Sequence, residues 1–194
     1  RETIRPIFHR YKTLYFYNTL YEGGVCDRNE ISLGTTPAQT VEKLVPYTMG
    51  MWGKKVYTIA ADYNYGQITA AWVKRYVEQN GGEVVSTDFF PLDVTNFGPT
   101  ISKIQSAKPD MVMHVLVGTG HLGFLNQWSA AGMKNKIPMA STTFGAAGAD
   151  IEIIKPEAAN GVITSYGYYP SIDTPENNAW VAKVKKRYPE KTPF

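Results

Sequence analysis

The stretch that decides the fold of this chain is Lys55–Gly66, KVYTIAADYNYG. Residues 55–61 form an almost entirely apolar, β-rich run, which is typical of a parallel strand covered on both faces. An amphipathic helical pattern at 66–80 begins directly afterwards. Between them stand Tyr63 and Tyr65, large rings at a place where a turn usually has Gly, Ser or Asp. The stretch therefore predicts a strand that passes into a helix through an aromatic loop.

The same alternation of short apolar runs and helical patterns continues along the chain. Strands are predicted at 13–17, 55–61, 83–90, 110–117, 137–141 and 161–166. Helices are predicted at 37–52, 66–80, 97–107, 121–131 and 174–188. Alternation of this kind is typical of βαβ units, so the sequence predicts an α/β fold with a doubly wound parallel sheet.

Composition limits the class of protein. Of the 194 residues, 43% are hydrophobic and 19% are charged, which is sufficient for a packed core. The net charge is only +3, and Lys and Arg are spread along the chain, so the sequence gives no support for nucleic-acid binding. The single cysteine, Cys26, excludes an internal disulfide and a cysteine-rich metal site. No run approaches the ~20 apolar residues of a membrane span.

The candidate site lies in the loops that follow the predicted strands, because ligands of an open parallel sheet bind at the carboxyl ends of its strands. These loops are at 18–24, 62–66, 118–121, 142–145 and 167–170. They are rich in hydroxyl groups, aromatic rings and glycines, and they carry little charge. Such loops suit a small, mostly neutral polar ligand better than a phosphate or a metal ion.

One motif favours an enzyme instead. GTGHLG at 118–123 matches the G-x-G-x-x-G pattern of a dinucleotide-binding turn, and it follows a strand and opens a helix. However, the next strand ends at Ser141 without the acidic residue that would hold a ribose, and the motif falls on a late turn of the chain. The other interpretation is a tight turn with close backbone packing.

The remaining candidates for catalysis are isolated. His114 lies inside a buried-looking strand, which favours a hydrogen-bonded core histidine. Cys26 and His121 could form a nucleophile and its base, but no family motif supports the pair. Glu22 and Asp62 lie near strand ends, where a turn or helix N-cap role is more typical. The sequence therefore predicts a protein that is not an enzyme, with no catalytic residue, metal site or cofactor.

Several segments together resemble a known family. They are YEGG at 21–24, GTTPAQ at 34–39, DYNYG at 62–66, VGTG at 117–120 and YPSIDTPEN at 169–177. In this order they resemble the type I periplasmic solute-binding proteins of ABC importers, in the group for branched-chain amino acids, urea and short-chain amides. The similarity is greatest to the amide and urea branch, which includes a cytoplasmic amide sensor.

The resemblance implies two doubly wound parallel-sheet lobes that are joined by a hinge and close on a ligand. Residues 1–36 are expected to be the end of the first pass of lobe one, residues 37–168 the main part of lobe two, and residues 169–194 the hinge and return helix of lobe one. Hinges are expected near Thr36 and Tyr169. The N- and C-terminal parts of the full protein, including any signal peptide, are expected outside this chain.

Site residues follow from the same resemblance. Thr19 matches a first-lobe ligand contact, and Tyr63 and Tyr65 match aromatic residues that fold over the ligand. The loop with Thr142 and Thr143 is the one that supplies a carboxylate to the ligand's ammonium group in the amino-acid-binding branch. The full expected set of ligand-binding residues is Thr19, Tyr63, Tyr65, Thr142, Thr143, Tyr17 and Thr119.

The ligand class is inferred from a missing acid. Residues 141–149 contain no Asp or Glu, and the first acid after them is Asp150. A buried ammonium group without a partner is costly, so urea or a short-chain amide is favoured over an α-amino acid, unless Glu22 or Asp62 points into the cleft. The alternatives are a branched-chain or hydrophobic amino acid receptor, a cytoplasmic amide-sensing regulator on the same fold and, remotely, a nucleotide-dependent enzyme.

The resemblance also implies a cellular setting. The expected location is the periplasm, or the outer face of the membrane with an anchor in a Gram-positive organism. The expected partners are the small-molecule ligand and the membrane permease of an ABC transporter, with the receptor itself a monomer or a weak dimer.

Overall fold

A computed structural model describes residues 2–145 and 149–189. The strands are β1 Tyr15–Tyr17, β2 Glu30–Ser32, β3 Lys55–Ala61, β4 Glu83–Phe90, β5 Met111–Val115, β6 Met139–Ser141 and β7 Ile163–Thr164. The helices are α1 Arg5–Arg10, α2 Pro37–Trp52, α3 Asn64–Gln79, α4 Gly98–Ala107, α5 Gly120–Ala130, α6 Ala149–Ile153, α7 Pro156–Ala159 and α8 Pro175–Arg187.

The main sheet has five parallel strands in the order β4-β3-β5-β6-β7. Because β4 and β5 lie on opposite sides of β3, the chain reverses its direction of travel across the sheet there. A separate two-stranded parallel sheet, β1-β2, belongs to the first segment, which we define as residues 2–36. The predicted α/β fold with parallel sheets is confirmed.

Apolar layers cover both faces of the five-stranded sheet, and β3 shows why. Val56 and Ala60 pack against α2 and α3, whereas Tyr57 and Ile59 pack in the cluster formed with α4 and α5. All four side chains are fully buried. Alternate residues of a strand point to opposite faces, so an almost wholly apolar strand requires helices on both sides.

The passage from β3 to α3 depends on a close backbone approach. A Cβ at Gly66 would lie 2.0 Å from the carbonyl oxygen of Ala61, so α3 can start directly behind the strand only with glycine there. Tyr63 is the extended residue before the helix, and its amide donates to the Ala61 carbonyl at 2.9 Å. The predicted strand–helix passage is confirmed. Asp62 lies in the turn between the two elements, which is one of its two predicted roles, whereas the N-cap position belongs to Tyr63. The Asp62 carboxylate accepts from Gln67 Nε2 at 2.9 Å.

Short elements account for most of the differences from the sequence-based prediction. The helices α1, α6 and α7 and the strand β2 were not predicted, since each is too short to show an apolar period. The strands β5, β6 and β7 are shorter than predicted, whereas α2, β3 and β4 have the predicted bounds. No helix among the described residues combines the length and the apolar character that a membrane crossing needs.

The predicted division into lobe segments is compatible with these elements and stays a prediction. The helix α2 begins at Pro37, directly after the first segment, and the amide of Thr36 donates to Gln39 Oε1 at 2.8 Å across its first turn. The helix α8 has no buried residue. Residues 190–194, which belong to the predicted return segment, lie outside the described residues.

Candidate functional site

A cavity of about 270 Å³ opens at the carboxyl ends of the strands. Its walls come from the first segment and from the loops and helix starts that follow β5, β6 and β7. The lining residues are Thr19, Leu20, Leu116, Val117, Gly118, His121, Thr143, Asp150 and Tyr166. The cavity therefore lies at the edge of the sheet where the sequence predicts the site.

A buried hydrogen-bond network shapes the loop after β6. Ser141 Oγ accepts from the backbone amides of Thr143 at 3.1 Å and Phe144 at 2.9 Å. The Thr143 hydroxyl donates to the carbonyl oxygen of Leu116 at 2.8 Å, which ties this loop to the end of β5. Because that proton is engaged, the Thr143 oxygen is left mainly as an acceptor at the cavity wall.

His114 belongs to the same hydrogen-bond network. Its Nδ1 lies 3.0 Å from Ser141 Oγ, and its side chain is 0% exposed. Burial lowers the pKa of His114 to about 3, and the neighbouring His121 acts in the same direction, so the ring is neutral at neutral pH. The prediction that His114 is a hydrogen-bonded core histidine is confirmed.

An acidic side chain reaches the cavity wall from α6. Asp150 Oδ2 lies 3.3 Å from His121 Nε2 and accepts from the backbone amide of Gly145 at 3.1 Å. The expectation that this wall of the cleft lacks a carboxylate is wrong, because α6 returns Asp150 to the cavity although no acid occurs in 141–149. Residues 146–148 of that loop lie outside the described residues.

Two of the predicted ligand contacts, Thr19 and Thr143, line the cavity. Thr142 is buried, and its side chain faces the phenol of Tyr65, where it partly offsets the effect of burial on the pKa of that phenol. Thr119 is exposed, and its hydroxyl donates to the Leu92 carbonyl at 3.3 Å.

The predicted aromatic contacts, Tyr17, Tyr63 and Tyr65, are not among the residues that line the cavity. Tyr65 is 3% exposed and packs in the apolar layer under α2 and α3, with its ring centroid 6.2 Å from that of Tyr63. The Tyr17 ring lies 6.4 Å from the Tyr21 ring in the first segment. Burial raises the pKa of both Tyr63 and Tyr65, and the proximity of Tyr65, Tyr17 and Glu22 adds to the shift at Tyr63. Both phenols are therefore neutral, and the role of these rings as ligand contacts stays a prediction.

The G-x-G-x-x-G turn has a packing explanation. A Cβ at Gly118 would lie 3.0 Å from the Leu92 carbonyl oxygen, and one at Gly120 would lie 2.8 Å from the Val94 carbonyl oxygen. The glycines thus allow the loop after β4 to pack against the start of α5, as the tight-turn interpretation expects. Among the described residues, no group of three or more His, Cys, Asp or Glu side chains is placed to hold a metal ion.

Sequence reasoning missed much of the cavity lining. The missed residues are Leu20, Leu116, Val117, Gly118, His121, Asp150 and Tyr166. The strand-end rule indicated the loop that contains Gly118 and His121 but could not select the side chains. Asp150 carried no usable signal, because it follows the candidate loop on the helix α6, which the apolar pattern does not predict.

Comparison with known proteins assigns the family. A family profile described as "Periplasmic binding protein" matches residues 1–194. The chain belongs to the periplasmic binding protein family. This periplasmic binding protein is 28% identical over 153 residues to the Leu/Ile/Val-binding protein homolog 6 of Brucella melitensis, which covers 78% of this chain and 39% of the relative.

Solved structures share the fold. A solute-binding protein of an ABC transporter from R. palustris, in complex with 4-hydroxybenzoate, matches this periplasmic binding protein with a TM-score of 0.77 and 26% identity, over 93% of this chain and 50% of that one. The leucine-, isoleucine-, valine-, threonine-, and alanine-binding protein from Brucella ovis has a TM-score of 0.76 at 23% identity, over 95% of this chain and 49% of its own, which shows the fold alone. The chain thus spans about half the length of these solved relatives.

These comparisons confirm the predicted family and fold in their general form. The family profile is that of a periplasmic binding protein, and the expectation that the chain is not an enzyme stays a prediction. The finer assignment to the urea and amide branch gains no support from the relatives, and it stays a prediction.

Proposed function

We propose that this periplasmic binding protein is the solute receptor of an ABC importer and that it binds a small polar ligand, urea or a short-chain amide, in the cavity at the strand ends. The observation that carries the proposal is the make-up of the cavity wall. It combines the hydroxyl groups of Thr19 and Thr143 and the carboxylate of Asp150 with apolar side chains. None of the described residues that line it is Lys or Arg.

The position of the cavity suits a receptor that closes on its ligand. Thr19 and Leu20 belong to the first segment, whereas Thr143 and Asp150 follow the strand β6 of the five-stranded sheet. A ligand held between these two parts stabilises the arrangement in which they are close together. A membrane permease that recognises this closed form would bind the receptor only when it carries ligand. This recognition would take place on the outer side of the membrane.

The polar groups of the wall favour a ligand that donates hydrogen bonds. The Thr143 hydroxyl already donates its proton to the Leu116 carbonyl, so its oxygen is left as an acceptor. A carboxylate such as that of Asp150 offers acceptor oxygens and no donor. Urea and short-chain amides carry N–H donors and have no charge whose removal from water must be offset. These solutes therefore match the wall without requiring a counter-ion.

A second candidate is an α-amino acid, and the observation that favours it is Asp150. A carboxylate at the wall of a cavity that has no Lys or Arg among its described lining residues would pair with a ligand ammonium group. The name of the Brucella melitensis relative, a Leu/Ile/Val-binding protein homolog, is in line with this candidate. The 4-hydroxybenzoate in the R. palustris relative is a carboxylate, which Asp150 would repel.

Calorimetric titration of the purified protein with urea, acetamide, leucine and 4-hydroxybenzoate tests the proposal. Urea or acetamide should bind with 1:1 stoichiometry, and 4-hydroxybenzoate should not. Binding of leucine with no response to either amide would replace the main candidate by the second one. Silence towards all four solutes would contradict the proposed receptor function.

A further inference from the structure

The cavity wall contains a histidine–carboxylate pair whose role is unassigned. His121 Nε2 and Asp150 Oδ2 are 3.3 Å apart, and both residues line the cavity. His121 stands in the first turn of α5, and Asp150 stands in α6. The pair therefore joins two different helices at the wall of the cavity.

The surroundings of His121 indicate which ring nitrogen carries the proton. The side chain is 7% exposed and lies between the rings of His114 and Phe144, at centroid distances of 5.6 and 6.3 Å. Its Nδ1 is buried and has no hydrogen-bond partner among the described residues. A neutral imidazole has a single N–H group, and the carboxylate next to Nε2 accepts it, so the Nε2–H tautomer is the one that this environment stabilises.

The same contacts orient the carboxylate. Oδ2 of Asp150 faces His121 Nε2 and also accepts from the Gly145 amide at 3.1 Å. Both contacts that the described residues make fall on Oδ2, so among these residues Oδ1 keeps both of its lone pairs for a ligand. A carboxylate oxygen accepts hydrogen bonds, so Oδ1 suits an N–H group of a ligand and not a second carboxylate.

We propose that His121 is a positioning residue for ligand recognition: it holds Asp150 so that Oδ1 accepts from an N–H group of the ligand. The pair would thereby set a preference for amide or ammonium N–H donors and against carboxylates. This inference rests on the proposed function, since it concerns how the same cavity chooses its ligand. It assigns no ligand contact to His121 itself.

Substitutions at the two positions separate positioning from packing. His121→Phe keeps a ring in the space beside Phe144 but removes both nitrogens, and His121→Gln restores a side-chain N–H donor. His121→Phe should weaken binding of the N–H ligand about tenfold, the effect of one well-placed hydrogen bond, and His121→Gln should recover most of it. Asp150→Asn should weaken binding at least as much, and His121→Phe combined with Asp150→Asn should be no weaker than Asp150→Asn alone.

A second histidine–carboxylate pair supplies a matched control. His9 Nε2 lies 2.6 Å from Asp27 Oδ2 in the first segment, and neither residue lines the cavity. His9→Phe should therefore leave ligand affinity and ligand preference unchanged. Thermal unfolding of each variant establishes that it is folded before titration.

Nitrogen-15 NMR of the histidine rings in the purified protein gives a readout that does not require a ligand. The expected spectrum has a protonated Nε2 and an unprotonated Nδ1 for His121, and Asp150→Asn should shift the Nε2 resonance. A protonated Nδ1 would overturn the proposed positioning.

The outcomes distinguish this inference from the proposed function. If wild-type protein binds none of urea, acetamide, leucine and 4-hydroxybenzoate, the receptor function fails and the inference falls with it. If it binds 4-hydroxybenzoate alone, the receptor function stands and the inference is wrong. If wild-type protein binds urea, acetamide or leucine and the folded His121→Phe variant binds the same solute equally well, with the same rejection of 4-hydroxybenzoate, the receptor function stands and the positioning role of His121 is wrong.

Discussion

The loop after β3, defined to include the first turn of α3 with Tyr65 and Gly66, and the loop after β6 start at the same edge of the sheet, yet their side chains have different surroundings. In the first, Tyr65 turns back into the apolar layer under α2 and α3 and is 3% exposed. In the second, Thr143 is held by hydrogen bonds to Ser141 and Leu116 and lines the cavity, as Asp150 does. Large rings at a strand end can complete the core between two helices, whereas small polar groups leave room for a ligand.

The largest expected effect concerns the loop after β3. Gly66→Ala would place a methyl group 2.0 Å from the Ala61 carbonyl oxygen, a backbone atom that cannot move without displacing β3. We expect the free energy of unfolding to fall by more than about 4 kcal/mol, or the protein not to fold. Urea denaturation followed by circular dichroism measures this.

Gly50 offers the control for that substitution. It lies in α2, and a Cβ there would meet no atom within 4 Å. Gly50→Ala should be neutral or should stabilise the protein by up to about 1 kcal/mol, because alanine favours a helix interior. Equal stability of Gly66→Ala and Gly50→Ala would show that the strand–helix passage tolerates a side chain and that its close approach is not what shapes the loop.

Tyr65 gives the next largest effect and bears directly on the comparison of the two loops. If Tyr65 is mainly a core residue, Tyr65→Ala should lower the free energy of unfolding by about 3–5 kcal/mol, as for other buried aromatic side chains. Tyr65→Phe, which keeps the ring, should cost about 1 kcal/mol or less. Denaturation curves give the stability, and calorimetric titration with acetamide gives the affinity of the same variants.

The two measurements together decide the role of this ring. A contact made only with the ligand would weaken binding by about 1–3 kcal/mol in Tyr65→Ala through lost apolar contact and would leave the denaturation midpoint in place. That result would make the loop after β3 part of the binding wall and would remove the difference between the two loops.

The sequence indicated the strand–helix alternation because each long element has a clear apolar period. It indicated the edge of the sheet that carries the cavity, since that follows from parallel topology. It did not indicate that Tyr65 would be buried, because an aromatic residue at a strand end suits a core and a ligand equally well. Nor did it indicate Asp150, whose place at the wall depends on the short helix α6 and its contacts with Gly145 and His121. The contact with His121 joins distant parts of the chain and leaves no local pattern.

The smallest expected effect concerns His114, whose ring forms a hydrogen bond with Ser141 at the end of β6. Burial lowers the pKa of His114 to about 3, against an ordinary value of 6.5. Between pH 6.5 and about pH 3, His114 therefore binds a proton in the unfolded chain but not in the folded protein. Stability is fully present above pH 6.5 and should fall as the pH decreases, by at most about 1.4 kcal/mol for each pH unit. Urea denaturation at pH 7, 6 and 5 measures it, above the range in which ordinary carboxylates titrate.

His114→Gln keeps a polar side chain beside Ser141 but removes the titration. Its unfolding free energy should change less between pH 7 and pH 5 than that of the wild-type protein, although it should be lower overall because the buried ring packs against Phe124, at a centroid distance of 5.9 Å. An unchanged pH slope would mean that His114 takes up a proton in the folded state. The hydrogen bond between His114 and Ser141 Oγ would then depend on pH. Because Ser141 Oγ also accepts from the Thr143 amide, the shape of the loop after β6 would change with pH as well. That loop would then be less rigid than the loop after β3.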